Sequence, residues 1–192
     1  HFALTSHLLD PLEAGSGGRV VVVASQSHRW GRLDLETLGE ELDRSHPEGR
    51  AFEWMSAYAA SKLANLLFAF ELDRRSREAG RALTCVAAHP GYTETGIGTA
   101  SARAKGSRLL ERFFQFGNKV LAQSAEAGAQ VSLFAATAHE LAGGEYIGPK
   151  GLLEMRGEPT LVGASRRARS RSRATRLWER SLQATGVDFG GL

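Results

Sequence analysis

Tyr58 and Lys62 stand four residues apart in Tyr58-Ala59-Ala60-Ser61-Lys62, and Ser25 closes an apolar run upstream of them. On a helix, residues four apart share a face about one turn along the axis, so the ammonium of Lys62 is expected close to the phenol of Tyr58. A phenol ordinarily loses its proton near pH ~10, and a neighbouring cation favours the phenolate. A tyrosine tuned in this way is a usable proton donor or acceptor for carbonyl and alcohol chemistry. The spacing alone is weak evidence. With three Tyr and four Lys in 192 residues, chance yields roughly 0.06 such pairs, so the surrounding chain must decide.

The elements that must position these groups follow from the hydrophobic pattern. Phe2, Leu4, Leu8, Leu9 and Leu12 give a helical rhythm over the first twelve residues, and Gly15, Gly17 and Gly18 stop it. Val20-Val21-Val22-Val23 is a β-branched run without alternation, which predicts a strand covered on both faces and ending at Ser25. Residues 26–49 are polar and irregular, with a short helical turn expected over 35–42. A long helix is expected from Trp54 to Ala79, with Leu63, Leu66, Leu67, Phe70 and Leu72 on its apolar side and Gly80 at its end. Leu83 to Ala88 reads as a second buried strand, broken by His89-Pro90-Gly91.

Residues 96–106 are small and polar. Leu109 to Leu121 then form an apolar, helical segment that suits either a substrate lid or plain core. Ser124 is placed to cap a helix running to about Ala138, with Glu126 favourable in its first turn. Gly143-Gly144 is expected to end that helix, Tyr146 to Gly148 to form a short strand, and Arg173 to Ala184 to form a surface helix. The order predicts an α/β fold with parallel strands. In open sheets of that kind ligands bind beyond the carboxyl ends of the strands. Ser25, Tyr58 and Pro90-Gly91 all converge there.

A length of 192 residues with 42% hydrophobic and 23% charged side chains suits one soluble domain with a substantial core. A catalytic part to about residue 161 and a basic helical tail over 162–192 are expected within it. No apolar run approaches the roughly 20 residues of a membrane span. The start lacks an initiator Met and the layout of a signal peptide, and reads as the middle of a helix, so the chain is expected to begin inside a larger domain. Cys85 is the one cysteine. It rules out an internal disulfide, and its apolar setting predicts a buried, inert thiol in a reducing, cytoplasmic compartment.

The six histidines form no recognised ligand cluster, so no metal is expected. His28 and His89 are near enough to the proposed cleft to touch substrate. The net charge of +3 is mild, but Arg166, Arg167, Arg169, Arg171, Arg173 and Arg176 crowd into eleven residues. That cluster raises a rival reading, a nucleic-acid or acidic-surface contact. It has no interleaved aromatic before Trp178 and no nucleic-acid module, so a solvated charged face is the expectation and no nucleic-acid partner.

Three stretches together resemble the short-chain dehydrogenase/reductase family, in its retinol dehydrogenase and WW-domain oxidoreductase branch. They are Val20 to His28, Tyr58-Ala59-Ala60-Ser61-Lys62-Leu63-Ala64-Asn65, and His89-Pro90-Gly91-Tyr92-Thr93-Glu94-Thr95. The resemblance implies a Rossmann-like parallel sheet with flanking helices and interconversion of an alcohol and a carbonyl with NADP or NAD, NADP slightly favoured. It implies that Ser25 holds the substrate oxygen, with Ser27 the weaker candidate, and that Tyr58 passes the proton. Lys62 would tune Tyr58 and hold the ribose hydroxyls. Pro90 and Gly91 would wall the nicotinamide, and Thr93 and Thr95 would contact its carboxamide or the pyrophosphate.

A small apolar substrate and a homodimer through the long helix belong to the same expectation. The chain departs widely from the family pattern, which places a glycine-rich phosphate turn, a residue that chooses NAD or NADP, and an active-site asparagine ahead of the stretches matched here. No Gly-x-Gly-x-x-Gly follows a strand, since Gly15 to Gly18 precedes one. The sequence therefore looks like the C-terminal two-thirds of a dehydrogenase, N-terminally truncated, and is expected to bind dinucleotide poorly alone. A scaffold that keeps the fold without turnover is the alternative.

Overall fold

The structure is a computed structural model that describes residues 1–15, 17–36, 53–93 and 123–192. Its sheet has the order β1 (Gly18–Val23), β2 (Leu83–Ala88), β3 (Tyr146–Pro149), β4 (Pro159–Leu161). The first three strands are parallel, with Val23 opposite Ala88 and Ala88 opposite Ile147. β4 returns antiparallel to β3, pairing Gly148 with Thr160. The antiparallel strand was not foreseen: Pro159-Thr160-Leu161 is too short and too mixed to stand out from a loop.

Alternation divides the sheet between two cores. Val20, Val22, Cys85, Ala87 and Tyr146 face α3 (Glu53–Glu78) and α5 (Arg171–Thr185), while Val21, Val86, Ala88 and Ile147 face α4 (Ala125–Thr137). Cys85 is fully buried, and burial pushes its thiol far above the usual range. β1 lies at the sheet edge and is only partly covered, with Val23 41% exposed, so the expected cover on both faces is incomplete. The β-branched run still makes a strand because such side chains fit a pleated, half-buried surface, and β2 supplies its neighbour.

The expected first helix is two, α1 (Phe2–His7) and α2 (Leu9–Glu13), broken at Leu8. Pro11 has no N–H to donate to the carbonyl four residues back, that of His7, so a continuous helix loses a bond there. α3 ends as expected. Gly80 takes φ +65, its N–H donates to Arg77 O, and that of Arg81 donates to Ser76 O at 2.8 Å, the paired bonds of a left-handed glycine cap. Ser124 caps α4 by accepting from Ala127 N. Gly143-Gly144, by contrast, does not end α4, which stops at Thr137. Both glycines have positive φ in the turn that leads into β3.

Arg166, Arg167, Arg169, Arg171 and Arg176 are exposed, as expected of a charged face, and Arg173 is half-buried. Arg167 donates to Gly31 O, Arg173 to Leu33 O and Arg180 to the carbonyls of Leu35 and Glu36. These guanidinium groups strap the 31–36 segment onto α5 and the turn before it. Beneath them Trp178 meets Phe2, Phe68 and Phe189 at ring separations of 4.9, 6.1 and 4.6 Å. Among the described residues no helix is long and apolar enough to cross a membrane, and no His, Cys, Asp and Glu gather as a metal site. Most of the 35–42 turn and all of Leu109 to Leu121 lie outside the described residues.

Candidate active site

β1 and β2 run parallel in register, so the chain leaves both at the same edge, and Ala24 N still donates to Ala88 O at 2.8 Å. Ser25 follows on one strand and His89-Pro90-Gly91 on the other. Ser25 has extended backbone and caps a short 3-10 turn over Gln26–Arg29. Its Oγ accepts from Ser27 N at 3.2 Å, which leaves the hydroxyl proton to donate. Ser27 points its own hydroxyl into the protein, buried and without a partner among the described residues. The half-buried Ser25 is thus the better placed of the two to meet a substrate oxygen.

α3 is tied to the end of β1 by one acceptor. Val23 O receives Lys62 Nζ at 3.2 Å and Asn65 Nδ2 at 2.9 Å. Lys62 Nζ lies 5.5 Å from the centroid of the Tyr58 ring, so the four-residue spacing does bring the two together. Partial burial lowers the pKa of Lys62. The Tyr58 hydroxyl bonds to none of the described residues. Gly31 permits this arrangement, because a Cβ there would sit 2.4 Å from Ala59 O; the loop after β1 can lie against α3 only without a side chain.

The 89–93 loop is fixed from several sides. Gly91 takes φ +74, and a Cβ on it would lie 2.3 Å from Met155 O. Tyr92 N donates to Met155 O at 2.7 Å. Gln123 donates to Pro90 O, and Thr93 Oγ1 donates to the same carbonyl at 3.2 Å. Thr93 is also packed under Gly128 of α4. Its hydroxyl therefore already serves the loop. Thr95 lies outside the described residues.

His28 and His89 do not reach a substrate, contrary to expectation, because both are buried and both ring nitrogens of each are occupied. His28 Nδ1 lies 2.7 Å from Ser25 O, and its Nε2 accepts from Ser165 N at 3.1 Å. That pairing requires a neutral ring with the proton on Nδ1, and burial lowers its pKa. His89 has the opposite tautomer. Gly91 N donates to its Nδ1 at 3.2 Å, and its Nε2 faces Glu154 Oε2 at 3.0 Å. Burial lowers His89 to about 4. The ring of Tyr146 packs against both imidazoles, and its hydroxyl is buried with no partner among the described residues.

Gln26, Arg29, His89 and Glu154 thus surround the site without having been singled out as a group. No local motif announces them, because they come from three segments that meet only when the sheet forms. A cavity of about 160 Å³ lies between α1, α3 and α5 against Phe2, Phe68 and Trp178. It borders Asn65 but not Ser25, Tyr58 or Lys62.

Ser25, the Tyr58–Lys62 pair and the Pro90-Gly91 turn thus lie at the carboxyl edge of a Rossmann-like α/β sheet. The chain is a homologue of the short-chain dehydrogenases/reductases. It is 32% identical over 190 residues to retinol dehydrogenase 13 of Homo sapiens, covering 98% of this chain and 52% of that protein. It is 34% identical over 197 residues to polyprenol dehydrogenase of Mus musculus, covering 99% and 52%. Its fold matches the crystal structure of an uncharacterized protein from Mycobacterium paratuberculosis with a TM-score of 0.67 and 36% identity, over 98% of this chain and 56% of that one. The chain spans about half the length of the curated relatives it matches. No family model matches it.

Proposed function

We propose that the whole protein is an NAD(P)-dependent oxidoreductase that interconverts an apolar alcohol and its carbonyl compound. One observation carries this reading: Lys62 lies beside the Tyr58 ring at the strand end where Ser25 presents a hydroxyl proton. Ser25 donates to the carbonyl oxygen and stabilises negative charge there. Tyr58 gives the proton to that oxygen, or takes it from the alcohol, with the ammonium of Lys62 beside its ring.

The donor set suits the ribose end of a nicotinamide nucleotide. Lys62 spends one of its three protons on Val23 O, leaving two for a diol, with the Tyr58 hydroxyl alongside. Pro90 and Gly91 would wall the nicotinamide, and Thr93 and Thr95 complete the proposed cofactor residues. When bound, the dinucleotide supplies or takes up the hydride.

NADP is slightly favoured over NAD, and the names of the relatives, retinol and polyprenol dehydrogenases, support an apolar alcohol. A homodimer through α3, whose residues Met55, Ser56, Ala57 and Ser61 are exposed, is part of the same proposal. The test is dinucleotide-linked oxidation of long-chain primary alcohols, and reduction of the matching aldehydes, by the whole protein with NADP and NAD compared. Turnover with either cofactor is the expected result. Absence of turnover in both directions across a range of chain lengths would overturn the reading.

A further inference from the structure

Glu154 sits at the tip of the turn between β3 and β4, far in sequence from every residue discussed as catalytic. It is held in an unfavourable backbone conformation. Leu153 and Glu154 are consecutive non-glycine residues at φ 52 and 53, a region that residues with a Cβ rarely occupy. Strain of that kind persists only where the surroundings over-determine it, and it concentrates at functional sites. The flanking Leu152 and Leu153 are 85% and 70% exposed, so apolar burial is not what secures the turn. Backbone bonds across the turn, Lys150 N to Glu158 O at 2.8 Å and Gly151 N to Arg156 O at 3.0 Å, and the polar contacts of Glu154 do.

Its carboxylate reaches both walls of the site. Oε2 accepts from Gln26 Nε2 and faces His89 Nε2 at 3.0 Å, while Oε1 faces Arg29 Nη2 at 3.5 Å. Gln26 and Arg29 are locked to each other through Arg29 Nε at 2.8 Å, and they lie in the short turn that Ser25 caps. His89 immediately precedes Pro90-Gly91 and accepts from Gly91 N. The same turn offers Met155 O to Tyr92 N. A side chain at Gly148 would collide with His89 Nε2, so β3 leaves room for the imidazole to face Glu154.

We infer that Glu154 is a positioning residue that clamps the loop carrying Ser25 to the loop carrying Pro90-Gly91, and so holds the substrate-oxygen donor in register with the cofactor wall. A carboxylate fits this role because one group can accept from an amide, a guanidinium and an imidazole at once. Glu154 touches none of the reacting atoms. Its effect passes through Gln26, Arg29 and His89. The inference rests on the oxidoreductase reading for its kinetic consequence but not for its structural one.

The experiment compares wild type with Glu154→Gly, Glu154→Gln and Gln26→Leu in the whole protein, using ¹⁵N-histidine NMR and steady-state kinetics. Glycine suits φ 53, so Glu154→Gly relieves backbone strain while removing the carboxylate. In wild type His89 is expected as the Nε2–H tautomer with a slowly exchanging proton. In Glu154→Gly that proton is expected to exchange at least tenfold faster, with kcat at least tenfold lower, dinucleotide KM within about threefold and Tm not reduced. Glu154→Gln keeps a carbonyl oxygen for His89 and is expected to restore the tautomer's protection and most of kcat. Gln26→Leu is expected to lower kcat in the same direction by a smaller factor.

A folded Glu154→Gly variant with unchanged His89 exchange and unchanged kcat would overturn the inference, as would a loss of Tm that accounts for the whole loss of activity. If Glu154→Gly does not fold, unchanged kcat in Gln26→Leu overturns it. If wild type shows no turnover, the function proposed above fails by itself, and the His89 exchange rates still decide the clamp.

Discussion

At Lys62 two opposing effects meet in one side chain. Partial burial lowers its pKa, while the Val23 carbonyl accepts one of its protons at 3.2 Å and keeps the ammonium directed at Tyr58. Replacing it by Met removes the charge but leaves Val23 O bonded to Asn65 Nδ2, so the fold is expected to survive. Lys62→Met is expected to lower kcat/KM by about 100-fold or more, equivalent to roughly 3 kcal/mol of transition-state stabilisation. Circular dichroism showing a native spectrum beside that loss is the check.

His89 ties stability to pH. Its folded value of about 4 lies below the ordinary 6.5 of a histidine, so the unfolded chain binds more protons between those values and stability falls as pH drops from about 6.5 to about 4. The shift corresponds to roughly 3 kcal/mol, fully present above the unfolded value. His28, also lowered by burial, acts in the same direction. Glu154, whose carboxyl burial raises, acts in the opposite one near the acid end of the window. Urea unfolding from pH 7 to 4 is expected to show this decline, with a smaller slope in His89→Gln. Neither histidine's role was legible from the sequence. Proximity to Ser25 and Pro90 suggested substrate contact, whereas burial and two occupied nitrogens make each a structural pin.

At the scale of elements, the site depends on loops that approach without side chains in the way. Gly91 is the sharpest case. With φ +74 and Met155 O 2.3 Å from where a Cβ would lie, Gly91→Ala combines left-handed strain with a backbone collision. A loss of about 2–4 kcal/mol is expected in urea unfolding, together with weaker dinucleotide binding. The main elements were readable because their patterns are local. The apolar stripe and Gly80 define α3, Ser124 defines the start of α4, and the Val20 to Val23 run defines β1. β4 and its turn were not readable, because Glu154 acquires its partners only when β3 and β4 bring it beside Gln26 and His89. The break at Leu8 was readable in principle from Pro11, but the apolar rhythm across residues 2–12 outweighed it.

The whole molecule is bound together by a segment whose composition suggested a surface. Residues 162–192 contribute Ala168, Ala174, Leu177, Trp178 and Phe189 to the same buried cluster as α3 and β2. Arg75 stacks on Trp178 with its guanidinium 4.7 Å from the ring centroid. Trp178→Ala is expected to cost about 3–5 kcal/mol, measured by thermal or urea unfolding, and to loosen α1 and the C-terminal residues together. The clustered arginines are mostly exposed, as their composition suggests, but composition records charge and not acceptors. Each guanidinium that reaches a carbonyl of the 31–36 segment exchanges solvent for a backbone partner.

The central claim, that the tyrosine–lysine pair beside Ser25 is a proton-transfer centre, is tested most directly by Tyr58→Phe. The substitution removes one hydroxyl that bonds to none of the described residues, so it leaves the fold undisturbed. The measurement is single-turnover oxidation of a long-chain alcohol by the whole protein, wild type against variant, with thermal unfolding of both as the control. A loss of about 100- to 10,000-fold in the chemical step at unchanged Tm is expected, the range of general acid–base catalysis by a positioned side chain. A Tyr58→Phe protein that turns over within threefold of wild type would contradict the account.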